Sequence, residues 1–192
     1  MCQRAWETAT LSSCPLHPNG GCQFWRHTSY ERKVPAGARI ARYYCRTAGV
    51  TFSLLPDCFA SRLSGSLSDV EAAVAKAEAA VTLTQAAQQL RPELLDVRHA
   101  LRWLRRRTQS VRTALTVLVT LLPELGGVVP TITAVRDALG AAQVLVATRE
   151  LMSARLSSLC SPVGLRPRAS RRSEDDKGSQ HQAGPDPPAR PQ

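Results

Sequence analysis

Arg39-Ile40-Ala41-Arg42-Tyr43-Tyr44-Cys45, then Arg46-Thr47-Ala48-Gly49, then Val50-Thr51-Phe52-Ser53-Leu54 is the stretch that decides the N-terminal architecture. The outer segments are rich in β-branched and aromatic residues, which fit a pleated surface better than a helix. The four residues between them read as a tight turn. Two short strands with so little apolar area need a metal or a neighbour to be stable. Ligand candidates lie on both sides. Cys14, His17 and Cys22 fall within Cys14-Pro15-Leu16-His17-Pro18-Asn19-Gly20-Gly21-Cys22, and Cys45 ends the first strand. Thiolates and an imidazole carried on two turns can close a tetrahedron around zinc. Ala48, three residues after Cys45, has no donor atom, and Cys58 or His27 are further candidates to complete a set. The competing reading makes these cysteines small buried hydrophobes in a collapsed ribbon.

Four segments of this head carry a family likeness. They are Cys14-Pro15, Phe24-Trp25-Arg26-His27-Thr28-Ser29-Tyr30-Glu31-Arg32, Ile40-Ala41-Arg42-Tyr43-Tyr44-Cys45 and Thr51-Phe52-Ser53-Leu54-Leu55-Pro56-Asp57. Together they resemble the zinc-ribbon head of bacterial insertion-sequence transposases. That pattern runs from a Cys pair, through a basic-His-Gly-x-Tyr-x-Arg strand, to Arg-Tyr-x-Cys-x-x-Cys and Thr-Phe-Ser. Ala48 stands where the family has its fourth ligand, and Thr28 where it has Gly. The resemblance implies a head that helps to grip DNA, with Arg26, Arg32, Lys33, Arg39, Arg42 and Arg46 facing phosphates. A merely solvated basic surface is the bland alternative.

After Gly65 the hydrophobic period changes from strand-like to helical. Ser66 or Ser68 can cap a helix through Ala80, with Leu67, Val70, Val74, Ala77 and Val81 on its apolar face. Thr84 is positioned to cap a short helix from Gln85 to Leu90. The longest helix starts at Pro92 or Val97 and runs to Leu122. Its seam is Val97, Leu101, Leu104, Val111, Leu115, Leu118 and Leu122. Gly126, Gly127 and Pro130 end it, and helices over Thr131–Leu139 and Ala141 to about Leu159 follow. From Ser161 the chain is Pro, Arg, Ser, Gln and Asp, a composition that cannot bury enough surface to fold. The expected organisation is a leader over 1–12, a zinc-ribbon-like head over 13–62, a helical domain over 63–160 and a disordered tail over 161–192. The fold class is mainly α, a small β head followed by a helical bundle containing a helix-turn-helix outline.

A formal net charge of +10 calls for a polyanionic partner, a membrane surface or an accident of composition, and nucleic acid is the usual partner of such a chain. Gln85 to Leu90, a turn, and Val97 to Arg107 have the outline of a helix-turn-helix whose second helix is basic. Arg98, Arg102, Arg105, Arg106, Arg107 and Arg112 have no acid between them, and the first three share a face opposite the Leu seam. Trp103, among them, reads as a half-buried anchor. The acids Asp57, Asp69, Glu71, Glu78, Glu93, Asp96, Glu124, Asp137 and Glu150 are scattered and read as caps or exposed helix positions. Neither they nor any Gly-rich phosphate loop, nucleophile elbow or His-Glu-x-x-His make a catalytic set. The reading is therefore a non-enzymatic DNA-binding accessory, regulator or truncated relative of a transposase. One alternative is a protein-interaction module that self-associates through the Val97–Leu122 seam. Another is an RNA binder that stacks bases on Phe24, Trp25 and Tyr30. The N-terminus lacks a secretory pattern, and Val111–Leu122 is too short to span a bilayer, so the expected location is cytoplasmic, away from membranes.

Overall fold

The structure, a computed structural model, describes residues 10–34, 36–156 and 158–164. The expected leader falls mostly, and the expected tail almost entirely, outside these residues.

The head is a three-stranded antiparallel sheet in the order β1-β2-β3, formed by β1 (Phe24–Glu31), β2 (Arg39–Cys45) and β3 (Val50–Leu54). β2, β3 and their turn stand where the alternating pattern places them. Gly49 has a φ of 63°, and its amide donates to the Arg46 carbonyl at 3.2 Å. β1 pairs Trp25 with Tyr44 and Thr28 with Arg42, and His27 is the extra residue of a bulge between them. One sheet face is packed. Ala41, Tyr43 and Cys45 are buried there, with Phe24 stacked on Tyr43 at 5.4 Å and edge-on to Phe52 at 6.0 Å. The other face is open around Trp25, Thr28, Arg42, Thr51 and Ser53, which are exposed, and Tyr44, which is half-buried; at its far end Ile40, the partner of Tyr30, is buried against Ala38 and Phe59.

Five helices follow among the described residues: α1 (Leu67–Ala79), α2 (Leu83–Leu90), α3 (Val97–Leu121), α4 (Ile132–Leu139) and α5 (Val144–Leu151). Ser66 and Asp69 form a reciprocal capping box at the start of α1. Thr82, not Thr84, caps α2 by accepting from the Gln85 amide at 3.2 Å, so that helix begins two residues before the expected start. Asp96 caps α3. Val81 was placed on the buried face of α1 but is 92% exposed, because the helix ends at Ala79 and its period no longer applies. The long helix expected from Ala141 stops at Leu151. A 3₁₀ turn (Ser153–Arg155) then bends the chain so that Leu159 and Val163 return to the core. The first residues of the expected tail belong to the fold instead, since Pro162, Val163 and Gly164 are buried. Gly164 lies directly on the Leu159 backbone, where an added Cβ would come within 1.9 Å of its carbonyl oxygen.

The main core joins Leu67, Val70 and Val74 of α1 to Val111, Leu115 and Leu118 of α3, with α4 and α5 closing it through Ile132, Val135, Val144 and Leu145. A smaller cluster packs α2 on the N-terminal half of α3 through Ala86, Ala87, Ala100 and Leu104, with Ala73 of α1 beneath. The paired alanines let the helix axes approach closely. The centre of the α3 seam is thus covered within the chain: Leu104, Val111, Leu115 and Leu118 are fully buried.

Two acids on one face of α1 serve other helices. Glu71, 3% exposed, accepts from the Leu145 amide in the first turn of α5 and from the Arg136 guanidinium at 3.0 Å. Glu78 accepts from the Ile132 amide at the start of α4. Each carboxylate meets the positive end of a helix dipole and an amide that lacks an intrahelical acceptor. Arg149, 4% exposed, donates to the carbonyls of Pro56, Asp57, Phe59, Pro162 and Val163. Burial lowers its pKa, yet a guanidinium's ordinary value is high enough to keep it charged. Replacing Arg149 with Met, or Glu71 with Ala, is expected to lower unfolding free energy by about 3–5 kcal/mol, because each leaves buried polar partners unsatisfied. Urea denaturation followed by circular dichroism measures this, with the exposed Glu150→Ala as a control that shifts stability by less than about 0.5 kcal/mol.

Candidate metal centre and basic faces

The loop before β1 turns back on itself through a bridge between Cys14 and His17, with the His17 amide donating to the Cys14 carbonyl at 3.0 Å. Cys22 follows just before β1. The pairing of Phe24 with Cys45 sets the end of β2 beside that strand's start. As a result Cys14, His17, Cys22 and Cys45 bring one ligand atom each within 4.8 Å of one another. His17 Nδ1 lies 3.4 Å from Cys14 Sγ and 3.7 Å from Cys45 Sγ. Tetrahedral zinc with ordinary bond lengths requires ligand–ligand edges of about 3.6 Å for N–S and about 3.8 Å for S–S. The donor set and its spacing fit a metal ion.

Three ligands come from one loop and one from the end of β2. The position of Ala48 is therefore not needed, and neither Cys58 nor His27 belongs to the cluster. The thiols respond to this crowding in opposite ways. Burial pushes Cys14 up, but hydrogen bonding with the His17 side chain, the Leu16 and His17 backbone and Cys45 outweighs it and brings the thiol down to about 7. Cys22 is pushed up to about 11 by burial, reinforced by hydrogen bonding to Cys14 and Cys45 and by their charge.

The basic residues divide into two groups. Arg32, half-buried, donates to the Ala60 and Leu63 carbonyls and lies 5.0 Å from the centre of the Phe59 ring. Arg107, 6% exposed, donates to the carbonyl and hydroxyl of Ser64 and lies 4.0 Å over the Trp103 ring. Burial, with help from Arg91 and Arg106, lowers its pKa to about 10. Trp103 is half-buried and is also faced by Arg91 at 5.0 Å. The second group is exposed: Arg26, Lys33, Arg39, Arg42 and Arg46 on the head, and Arg98, Arg102, Arg105, Arg106 and Arg112 on α3. Of these, Arg106 donates to the Arg62 carbonyl, Arg39 to the Ser29 hydroxyl and Arg46 to the Gln23 amide oxygen. α3 holds six arginines and no acid. Sequence reasoning passed over Tyr44, which shares the open sheet face with Trp25. Its signal was the two-residue alternation with Arg42.

No protein-family model, curated protein or solved structure matches the chain. Among the described residues, no helix is long and apolar enough to cross a membrane.

The metal centre has a direct test. Cobalt titrated into the metal-free full-length protein is expected to give the visible absorption of tetrahedral thiolate coordination, reversed by zinc, and Cys22→Ser or Cys45→Ser should weaken binding at least about tenfold. Thiols must lose protons to bind, and Cys22 holds its proton at neutral pH. Apparent affinity should therefore rise from about pH 6 to about pH 8. Absence of the tetrahedral spectrum would count against the site.

Proposed function

We propose that this chain is a DNA-binding protein related to transposases, acting as an accessory, regulatory or truncated form rather than as a catalyst. A zinc ion held by Cys14, His17, Cys22 and Cys45 would brace a head too small to be stable on its apolar contacts alone. The observation that carries the reading is the exposed face of α3. There Arg98, Arg102 and Arg105 recur at helical spacing on a helix without a single acid, and none of the three joins an ion pair among the described residues.

The placement of α3 favours this role. Its C-terminal half is fixed in the main core, and α2 buttresses its N-terminal half, so the arginines project from a rigid rod about 37 Å long. On this reading α2 and α3 would act as a helix-turn-helix with α3 as the basic helix, whose guanidinium groups can contact phosphates or guanine edges. The exposed Arg26, Lys33, Arg39 and Arg42 would add backbone contacts from the head, while Arg32 serves mainly to hold the segment after Phe59. Self-association through the α3 seam gains no support from the fold, since its central leucines are already covered.

Fluorescence anisotropy with a labelled DNA duplex at several salt concentrations tests the reading. Seven phosphate contacts, three from α3 and four from the head, predict a log–log slope of about −6. Replacing Arg102 and Arg105 with Ala should weaken binding and reduce that slope by about 2. Salt-independent binding, or unchanged affinity in the double variant, would remove α3 from the interface.

A further inference from the structure

We infer that the open face of the head's sheet is a stacking platform for unpaired bases, so that the head takes single-stranded nucleic acid while α3 engages duplex. This deepens the nucleic-acid-binding reading and rests on it. The strand register decides which side chains share the face. Trp25 pairs with Tyr44 and Thr28 with Arg42 across β1 and β2, while Tyr44 pairs with Thr51 and Arg42 with Ser53 across β2 and β3. Paired residues point to the same side of a sheet, as do residues two apart on one strand, so Tyr30 joins them.

The composition of this face is unusual for an exposed surface. Trp25 is 42% exposed and Tyr30 39% exposed, the hydroxyl residues Thr28, Thr51 and Ser53 lie between and beside them, and Ile40 is buried beneath the Tyr30 end. The Trp25 and Tyr44 rings meet edge-on at 5.3 Å, and His27, set out by the bulge, tilts against Tyr44 at 5.8 Å. Arg42 lies 5.5 Å from the centre of the Tyr30 ring. The face therefore presents π-surfaces at two ends with a guanidinium between them, and none of these residues is acidic. Trp25 and Tyr30 are separated by roughly 15 Å of strand. Sheets that bind single strands stack two or three bases on aromatic rings of this kind.

Duplex DNA does not offer such a face what it needs. Bases in a helix are already stacked on one another and present only their edges. A flat array of rings gains contact only when bases are splayed out, whereas the cation between the rings answers the backbone charge. The packed face has no such role: Phe24 is tied into its contacts with Tyr43 and Phe52.

The test uses the zinc-loaded full chain and three labelled probes: an oligothymidylate of about 15 nucleotides, the matching oligouridylate, and a duplex of equal length. The expected result is that Trp25→Ala and Tyr44→Ala each weaken single-strand binding about tenfold and leave duplex binding unchanged, with Trp25→Phe restoring most of the loss. Binding of the wild type should also quench Trp25 emission, assigned by its loss in Trp25→Phe. The deoxy and ribo probes show whether one sugar is preferred, and either outcome of that comparison supports the platform. If duplex binds but Trp25→Ala does not alter single-strand affinity, the inference fails and the DNA-binding reading stands. If neither form binds, both fail.

Discussion

The connection between sheet and helices depends on guanidinium groups bonded to backbone carbonyls. Residues 56–64 run without regular structure yet hold buried positions at Phe59, Ala60, Ser61 and Leu63. Carbonyls in such a segment have no ladder partner, and leaving them unpaired in the interior would be costly. Arg149 reaches those of Pro56, Asp57 and Phe59 from α5, Arg32 those of Ala60 and Leu63 from the end of β1, and Arg107 that of Ser64 from α3. Arg149 also holds Pro162 and Val163, which brings the last described segment against the same junction. A planar group with five fixed donors suits this work in a way that lysine does not.

That use of arginine changes the meaning of the net charge. Arg32, Arg107, Arg149 and Arg136 are engaged inside the fold or partly so, the last with Glu71. Among the described residues, exposed arginine is concentrated instead on α3 and on the head. The acids show the complementary economy, because Glu71 and Glu78 cap helices that lie far along the chain from α1. A surface field that survives these internal pairings is the part available to a polyanion.

The cysteine cluster shows how a ligand set can differ from its expected spacing and still close. Measured along the sequence, Ala48 breaks the second pair. In three dimensions the loop from Cys14 to Cys22 contributes three donors, and the antiparallel register of β1 and β2 delivers the fourth. The residues were all in view beforehand, but no local rule states that a glycine-containing loop folds back over the end of a neighbouring strand.

Much of the local structure is legible in the residues themselves. Alternation gave β2 and β3, Ser66 and Ser68 as alternative caps bracketed the start of α1, and apolar spacing gave α3 nearly to its last residue, because each depends on contacts within a few positions. Helix ends were read less well at Thr82, Val81 and Leu151, where a cap or a break competes with a period that could continue. The basic residues were legible as types but not as roles: Arg32 and Arg105 look alike in sequence, and only packing separates a guanidinium pinned to carbonyls from one left in solvent. The sequence by itself determined the elements, the ligand types and the excess of positive charge. Tertiary structure alone decided the gathering of Cys14, His17, Cys22 and Cys45, the capping of α4 and α5 by α1, and the sorting of aromatics onto an open and a packed face, because these rest on register and on chain segments distant in sequence.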